Sequence, residues 1–297
     1  MIQLHDAITK LGCESEVVFY DSGDITVHEQ ECSVKYNEGF SIPEMANITP
    51  RVCTRFCKDD VLIFPEVRIK LLTNIRNAGF RNTVFWWLSW NNADLQVIDR
   101  LDYAESLLNT IHLFQSHFAH EKAREHDFDG LMVSDYTLFD QDTLNVSTQK
   151  KYDVCFFPLK AKGAERTLGN LSQGFRIKKI EKMPQSEVIN VLRESKFFLD
   201  FGRQPGKDRI PREATIQGCI PIVRRVGAAR NNVDVPIPDI LKPSTAQMLD
   251  ANYLKQLMIS LDQKYDNVLD ELDAYKQSIL VERETFMKEV QNFIESY

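Results

Sequence analysis

The sequence predicts an α/β fold of two Rossmann-like domains facing across a cleft, with a helical C-terminal tail. Three features carry that prediction: apolar runs alternate with helical segments from residue 61 onward, a polar stretch at 141–151 interrupts the rhythm, and the rhythm then restarts. Strands that are apolar on both faces must be covered by helices on both sides, which is the mark of a parallel sheet. Ligands of such sheets sit beyond the carboxyl ends of the strands, so the strand-to-helix loops are where chemistry is to be sought.

Taken in order, Ile2, Leu4, Ile8 and Leu11 fall at helical spacing, and Gly12 suits the end of that helix. Residues 16–20 read as a strand closed by turn residues at 21–24. Residues 24–58 mix short apolar runs, three cysteines and two prolines, and fit no single pattern. Buried strands are then expected at 61–64, 83–87, 111–114 and 131–133, with helices near 68–78, 94–108 and 117–126 between them. The linker at 141–151 leads to strands at 153–157, 175–180, 197–199 and 219–223, with helices near 164–172, 185–195 and 211–217. From Thr245 the chain reads as almost wholly helical, with Leu257, Leu261, Tyr265, Val268 and Leu272 at helical spacing. The resulting domains are 1–148 and 149–275, followed by a final helix at 276–297.

Composition narrows the function. The 297 residues, 43% apolar and 27% charged, suffice for one large core or two ordinary ones. No stretch approaches the roughly 20 apolar residues needed to span a bilayer, and the start, MIQLHDAITKLG, lacks the apolar core of a secretory signal. The six cysteines, at 13, 32, 53, 57, 155 and 219, form no CxxC pair, which favours reduced thiols in a cytoplasm. A net charge of -7 argues against nucleic acid as a partner, because that affinity comes from Lys and Arg neutralising phosphates. An anion site in this chain has to be local.

Such a site is legible in GRQPGKDRIPREATIQGCIPIV, residues 202–223, where Arg203, Lys207, Arg209 and Arg212 crowd a loop broken by Gly202, Pro205 and Gly206. Pro211 suits the first turn of a helix, which places Arg212 and Glu213 near a helix N-terminus. The free N–H groups and partial positive charge of that end favour an anion, so Lys207 and Arg209 are the expected phosphate-facing cations. After the next strand, Arg224, Arg225 and Arg230 stand on an adjacent loop with Gly227. Any one of these cations, taken alone, reads as solvated; their clustering on neighbouring strand ends points to an anion site. Look-alike motifs fail. Residues 202–207 are one residue short of a Walker A loop and are followed by Asp208 where Ser or Thr is needed. Asp200-Phe-Gly202 lacks the other kinase signatures. His117, His120 and His126 make a weak metal set, and Asp127-Phe-Asp129 precedes a strand and reads as a turn, so no metal is expected.

The order MPQSEVINVLRESKFFLDFGRQPGKDRIPREATIQGCIPIV, from Met183 to Val223, resembles the donor-binding domain of the retaining GT-B glycosyltransferases called group 1. Ser186 and residues 188–192 fill the first helix of the pattern, 197–199 the strand, Glu213-Ala214 the next helix start and Gly218 the later glycine. The resemblance implies a glycosyltransferase that moves a sugar from a nucleotide-diphosphate donor to a glycan or other acceptor, in polysaccharide or glycoconjugate biosynthesis. It implies no metal or other cofactor, since loop cations and backbone amides stabilise the leaving diphosphate. The carboxylate matching Glu213 would contact the ribose, and Lys160 and Lys162 stand near the place of the family's basic pair. Gly206, Arg212 and Arg225 complete the donor side. The family's first acid falls on Pro205 here, with Asp208 as its possible substitute. The final helix would cross back to the first domain, which lacks the usual opening strand; either that strand is absent or the chain begins inside a longer product.

On the acceptor side, strand-end loops offer Trp90, Asn91 and Asp135, an aromatic face beside polar groups suited to a sugar, although at least two of Trp86, Trp87 and Trp90 are expected in the core. Glu66 and Asp135 are the candidate general bases if the reaction inverts the anomeric centre; a retaining reaction would need neither. Two other readings remain: a catalytically silent GT-B-like binding or scaffold protein, and a Rossmann-type enzyme acting on another phosphorylated ligand. The oligomeric state is left open.

Overall fold

The computed structural model describes residues 1–19, 25–28, 31–35, 48, 50–98, 100–139, 144 and 149–297. The chain divides into two compact units, Met1–Asp135 with Arg283–Tyr297, and Tyr136–Glu282. The division thus falls ahead of the polar stretch at 141–151, most of which lies outside the described residues, and not at 148/149. The tail joins the first unit from Arg283 and not from 276.

In the first unit, part of the span that fitted no pattern forms an antiparallel sheet of β1 (Ile25–Val27), β2 (Glu31–Val34) and β3 (Arg55–Cys57). Cys32 and Val34 alternate inward on β2, but a four-residue strand is too short to announce its period. The strand expected at 16–20 is reduced to one parallel bridge, Val17 to Val52, and Tyr20 lies outside the described residues. The main sheet is parallel and in chain order: β4 (Leu62–Pro65), β5 (Thr83–Trp87), β6 (Ile111–Phe114) and β7 (Gly130–Met132). All five residues of β5 are buried, as a central strand covered on both faces requires. The helix expected at 94–108 is broken into Leu95–Ile98 and Leu101–Leu108.

In the second unit, β8 (Tyr152–Phe156), β9 (Ile177–Lys179), β10 (Ser195–Asp200) and β11 (Ile220–Val223) form a parallel sheet in the order β11-β10-β8-β9. From β8 the chain steps to β9 on one side and later to β10 on the other, so the strand order reverses between β8 and β10. Loops leaving the two strands then diverge to opposite faces, and the gap between their carboxyl ends is where a doubly wound sheet receives its ligand. The helices Ala251–Asp262, Tyr265–Glu271 and Asp273–Leu280 bury Leu254, Met258, Leu261, Val268, Tyr275 and Ile279 in the same core as Phe197, Leu199 and Ile222. Each such side chain contributes about 1.5–3 kcal/mol by leaving water. Among the described residues no helix is long and apolar enough to cross a membrane.

Candidate functional site

The site grows from the end of β10. Asp200, 1% exposed, turns its Oδ1 back to accept the Gly202 N–H at 2.7 Å. A β-carbon on Gly202 would lie 2.7 Å from that oxygen and 3.2 Å from Lys160 Cδ, so a side chain there would displace the Asp200 carboxylate. Arg224, after β11, donates through Nε and Nη2 to the Gly202 carbonyl at 3.1 and 2.9 Å. Gln204 is fully buried in the left-handed region (φ 49°), and its carbonyl accepts the Ala228 N–H at 2.8 Å. Gly227 beside it (φ 53°) would place a β-carbon 2.0 Å from that carbonyl. The loops after β10 and β11 are thereby locked to each other, while both side-chain amide atoms of Gln204 are buried without a hydrogen-bond partner. Unmet polar atoms of this kind are costly and concentrate at functional sites.

At the reversal point the loop after β8 meets the loop after β10. Lys160 Nζ lies 2.5 Å from Asp208 Oδ2 and 3.6 Å from Asp200 Oδ2. Burial alone would push the Lys160 ammonium down, but Asp200 and Asp208 outweigh it and hold its pKa above the usual lysine value. Asp208 shifts up, because burial and Asp200 exceed the help from Lys160. Asp208, the possible substitute for the missing acid, is therefore committed to Lys160.

Asp208 also stands at the N-terminus of the helix Arg209–Ile216, which begins two residues before its expected start. Glu213 is 2% exposed; its Oε1 takes Arg209 Nε at 2.9 Å and Gln185 Nε2 at 2.8 Å, while Oε2 is buried and unpartnered. Burial raises the Glu213 pKa, with Arg209 pulling it back. Next to this helix end, Lys207 Nζ lies 3.5 Å from Glu282 Oε1, and Gly206 is buried in the loop.

The structure separates the expected cations by role. Arg209 is half-exposed at the helix mouth, and Lys162 is exposed after β8. Arg212, expected to face donor phosphate, is 1% exposed and bound to Glu282 Oε2 at 2.8 Å and to the carbonyls of Lys207 and Asp208. Arg225, also expected on the donor side, is fastened to the carbonyls of Lys242 (2.9 Å) and Asp239 (3.0 Å). Both corrections have one cause: a guanidinium donates several hydrogen bonds in a fixed fork, and the nearest loop carbonyls and acid satisfy them.

In the first unit, Glu66 follows β4 and is 4% exposed, with Oε2 unpartnered. Burial raises its pKa to about 7 against the pull of its own N–H, the Leu88 N–H and the Met1 ammonium. Asp135 Oδ1 accepts from Gln115 Nε2 at 2.9 Å, and Asn91 is exposed. Trp90, assigned to acceptor binding, is a core residue. It is 4% exposed, stacked on Trp87 with ring centroids 4.9 Å apart, and close to His126 at 5.5 Å. The 3₁₀ turn Trp90–Asn92 turns the ring inward, where aromatic burial is worth more than display. Of the histidines read as a weak metal set, His120 pairs with Asp129 at 2.5 Å, and Asp127 adopts a left-handed turn (φ 61°).

Sequence reading missed Gln204 and Glu282. A glutamine between Arg203 and Pro205 carries no signal of its own, and Glu282 lies 70 residues from Arg212.

No protein-family model matches the sequence, and no curated protein matches it either. Among solved structures, the chain is similar to sucrose-phosphate synthase from Thermosynechococcus elongatus, with a TM-score of 0.65 at 10% identity over 99% of this chain and 91% of that one. It is also similar to α,α-trehalose 6-phosphate synthase from Burkholderia multivorans, with a TM-score of 0.55 at 9% identity over 81% and 73%. Identities this low carry the fold and leave substrates open. With its two parallel α/β units and these likenesses, the chain has the GT-B fold, the fold its segment from Met183 to Val223 resembles.

Proposed function

We propose that this chain is a glycosyltransferase that moves a sugar from a nucleotide-diphosphate donor to a glycan or other acceptor, in polysaccharide or glycoconjugate biosynthesis in the cytoplasm. The observation that carries the reading is the constellation at the reversal point. Lys160, Lys207 and Arg209 gather at the N-terminal end of Arg209–Ile216, beside a buried Glu213 whose Oε2 has no partner. Glu213 Oε2, left without a partner, is assigned to a ribose hydroxyl. The cations and the helix N–H groups neutralise a diphosphate whose charge grows as the glycosidic bond breaks, so the groups that hold the donor also stabilise the leaving group. No divalent metal is called on. Lys162 and Gly206 belong to the same donor side.

The acceptor is assigned to the first unit, with Asn91 and Asp135. Glu66, poised near neutrality, suits proton removal from an acceptor hydroxyl in an inverting reaction. One observation favours the catalytically silent reading: Lys207 and Arg212 are already matched by Glu282, and Lys160 by Asp208.

Purified protein incubated with UDP- and GDP-sugars, with released nucleoside diphosphate followed by chromatography, separates the two. Release supports the transferase; tight nucleotide binding without release supports the silent protein. Binding of neither UDP nor GDP contradicts both.

A further inference from the structure

Glu282 gathers three groups of the second unit onto one carboxylate, 7% exposed. Its Oε2 accepts from Arg212 Nη1 at 2.8 Å and from the Thr137 backbone N–H at 2.9 Å, and its Oε1 lies 3.5 Å from Lys207 Nζ. Arg212 donates in turn to the carbonyls of Lys207 (2.9 Å) and Asp208 (3.4 Å). Directly or through Arg212, one acid therefore fixes the Lys207 side chain, the Lys207 carbonyl and the residue preceding the helix Arg209–Ile216. Thr137 and Glu282 also flank the two points, after Asp135 and before Arg283, at which the chain passes out of this unit.

Packing alone does not call for this arrangement. Apolar side chains of similar volume often stabilise a buried position as well as an ion pair does or better, because the charges must first be desolvated. The Lys207 side chain, 19% exposed where Arg212 is 1% exposed, is the more accessible of the two cations on Glu282, and a soluble anion drawn to it has to compete with Glu282. We infer that Glu282 is a positioning residue for sugar transfer: it holds Lys207 and Arg212 against the loop while the site is empty and gives up Lys207 to the donor diphosphate, so that occupancy of the loop is felt at the Thr137 backbone. The inference rests on the glycosyltransferase reading above.

Glu282→Gln tests it, because the amide oxygen can still accept from Thr137 while the charge competing for Lys207 is gone. The nucleoside diphosphate that wild type binds, UDP or GDP, should bind the variant roughly three- to tenfold tighter, the size of one unit charge removed a few ångströms away in a wet site. Turnover should fall by roughly tenfold or more, because Lys207 and Arg212 lose the geometry that transfer requires. Opposite signs for affinity and turnover are the signature. If binding and turnover weaken together, or neither moves, Glu282 is only structural and the inference fails.

Where the variant does not fold, amide exchange of wild type with and without the same nucleotide decides the matter. Altered protection at Thr137 is expected, and unchanged protection overturns the inference. If wild type binds neither UDP nor GDP, the glycosyltransferase reading falls first and takes the inference with it.

Discussion

Arg209 Nε lies 2.9 Å from Glu213 Oε1, one turn along the same helix, so an exposed cation and a buried acid form a single unit. The two halves should fail differently. Arg209→Ala should weaken nucleoside diphosphate binding by about 1.5–3 kcal/mol, the scale of a charge-assisted hydrogen bond, and leave the bare nucleoside nearly unaffected. Glu213→Ala should weaken both alike, since its unpartnered Oε2 is assigned to the ribose. Calorimetric titration of both variants with each ligand reads the difference; equal losses in Arg209→Ala would remove the phosphate assignment.

Glu66 makes stability depend on pH in an unusual direction. Its folded pKa, about 7, lies above the unfolded value of 4.5, so the folded protein binds the extra proton. Stability is fully present below pH 4.5 and lost as pH rises through 7, amounting to roughly 3 kcal/mol from the linkage relation. Glu66→Gln should therefore be more stable than wild type at pH 9 and about equal to it at pH 4.5, measured by urea unfolding. A pH-independent difference would contradict the assigned titration. If Glu66 is the base, the same variant should also lose turnover while keeping nucleotide affinity.

His112 acts at the acid end. Trp87 Nε1 donates to its Nδ1 at 2.9 Å, so its Nε2 carries the proton toward the Leu107 carbonyl at 3.0 Å, and the ring is held neutral. Burial lowers its pKa to about 4, against the pull of the Leu107 carbonyl. A folded value below the unfolded 6.5 means that stability is lost as pH falls from 6.5 toward 4, by roughly 3 kcal/mol. An NMR titration should find His112 still neutral at pH 5; a midpoint near 6.5 would contradict the buried, hydrogen-bonded ring.

Trp90→Ala should cost about 3–5 kcal/mol of stability, as large aromatic truncations in a core do. Donor binding by the folded fraction should be unchanged. A variant of wild-type stability with reduced acceptor affinity would return Trp90 to the surface role that its neighbour Asn91 suggests.

Both parallel sheets were legible because β5, β11 and the centre of β10 (Phe197–Leu199) carry consecutive apolar residues, a pattern that coverage on two faces satisfies. The first sheet, β1–β3, was not, because strands of three and four residues show too little alternation. At the site, sequence places the cations on the right loops but says nothing of what they face. The partners of Lys207, Arg212 and Lys160 come from Glu282, the loop carbonyls and Asp208, mostly far along the chain. Arg209–Glu213 is the exception, because their four-residue spacing is readable once the helix is assigned. Trp90 misled because an aromatic beside amides looks alike on a sugar platform and at the end of a core strand.

Reception of a nucleotide diphosphate by the loop after β10 is tested by calorimetric titration of wild type with UDP and GDP against uridine and guanosine. One diphosphate should bind at least tenfold tighter than its nucleoside, with the advantage shrinking as salt rises. Equal affinity for diphosphate and nucleoside, or no binding of either, would mean that this loop is not a diphosphate site.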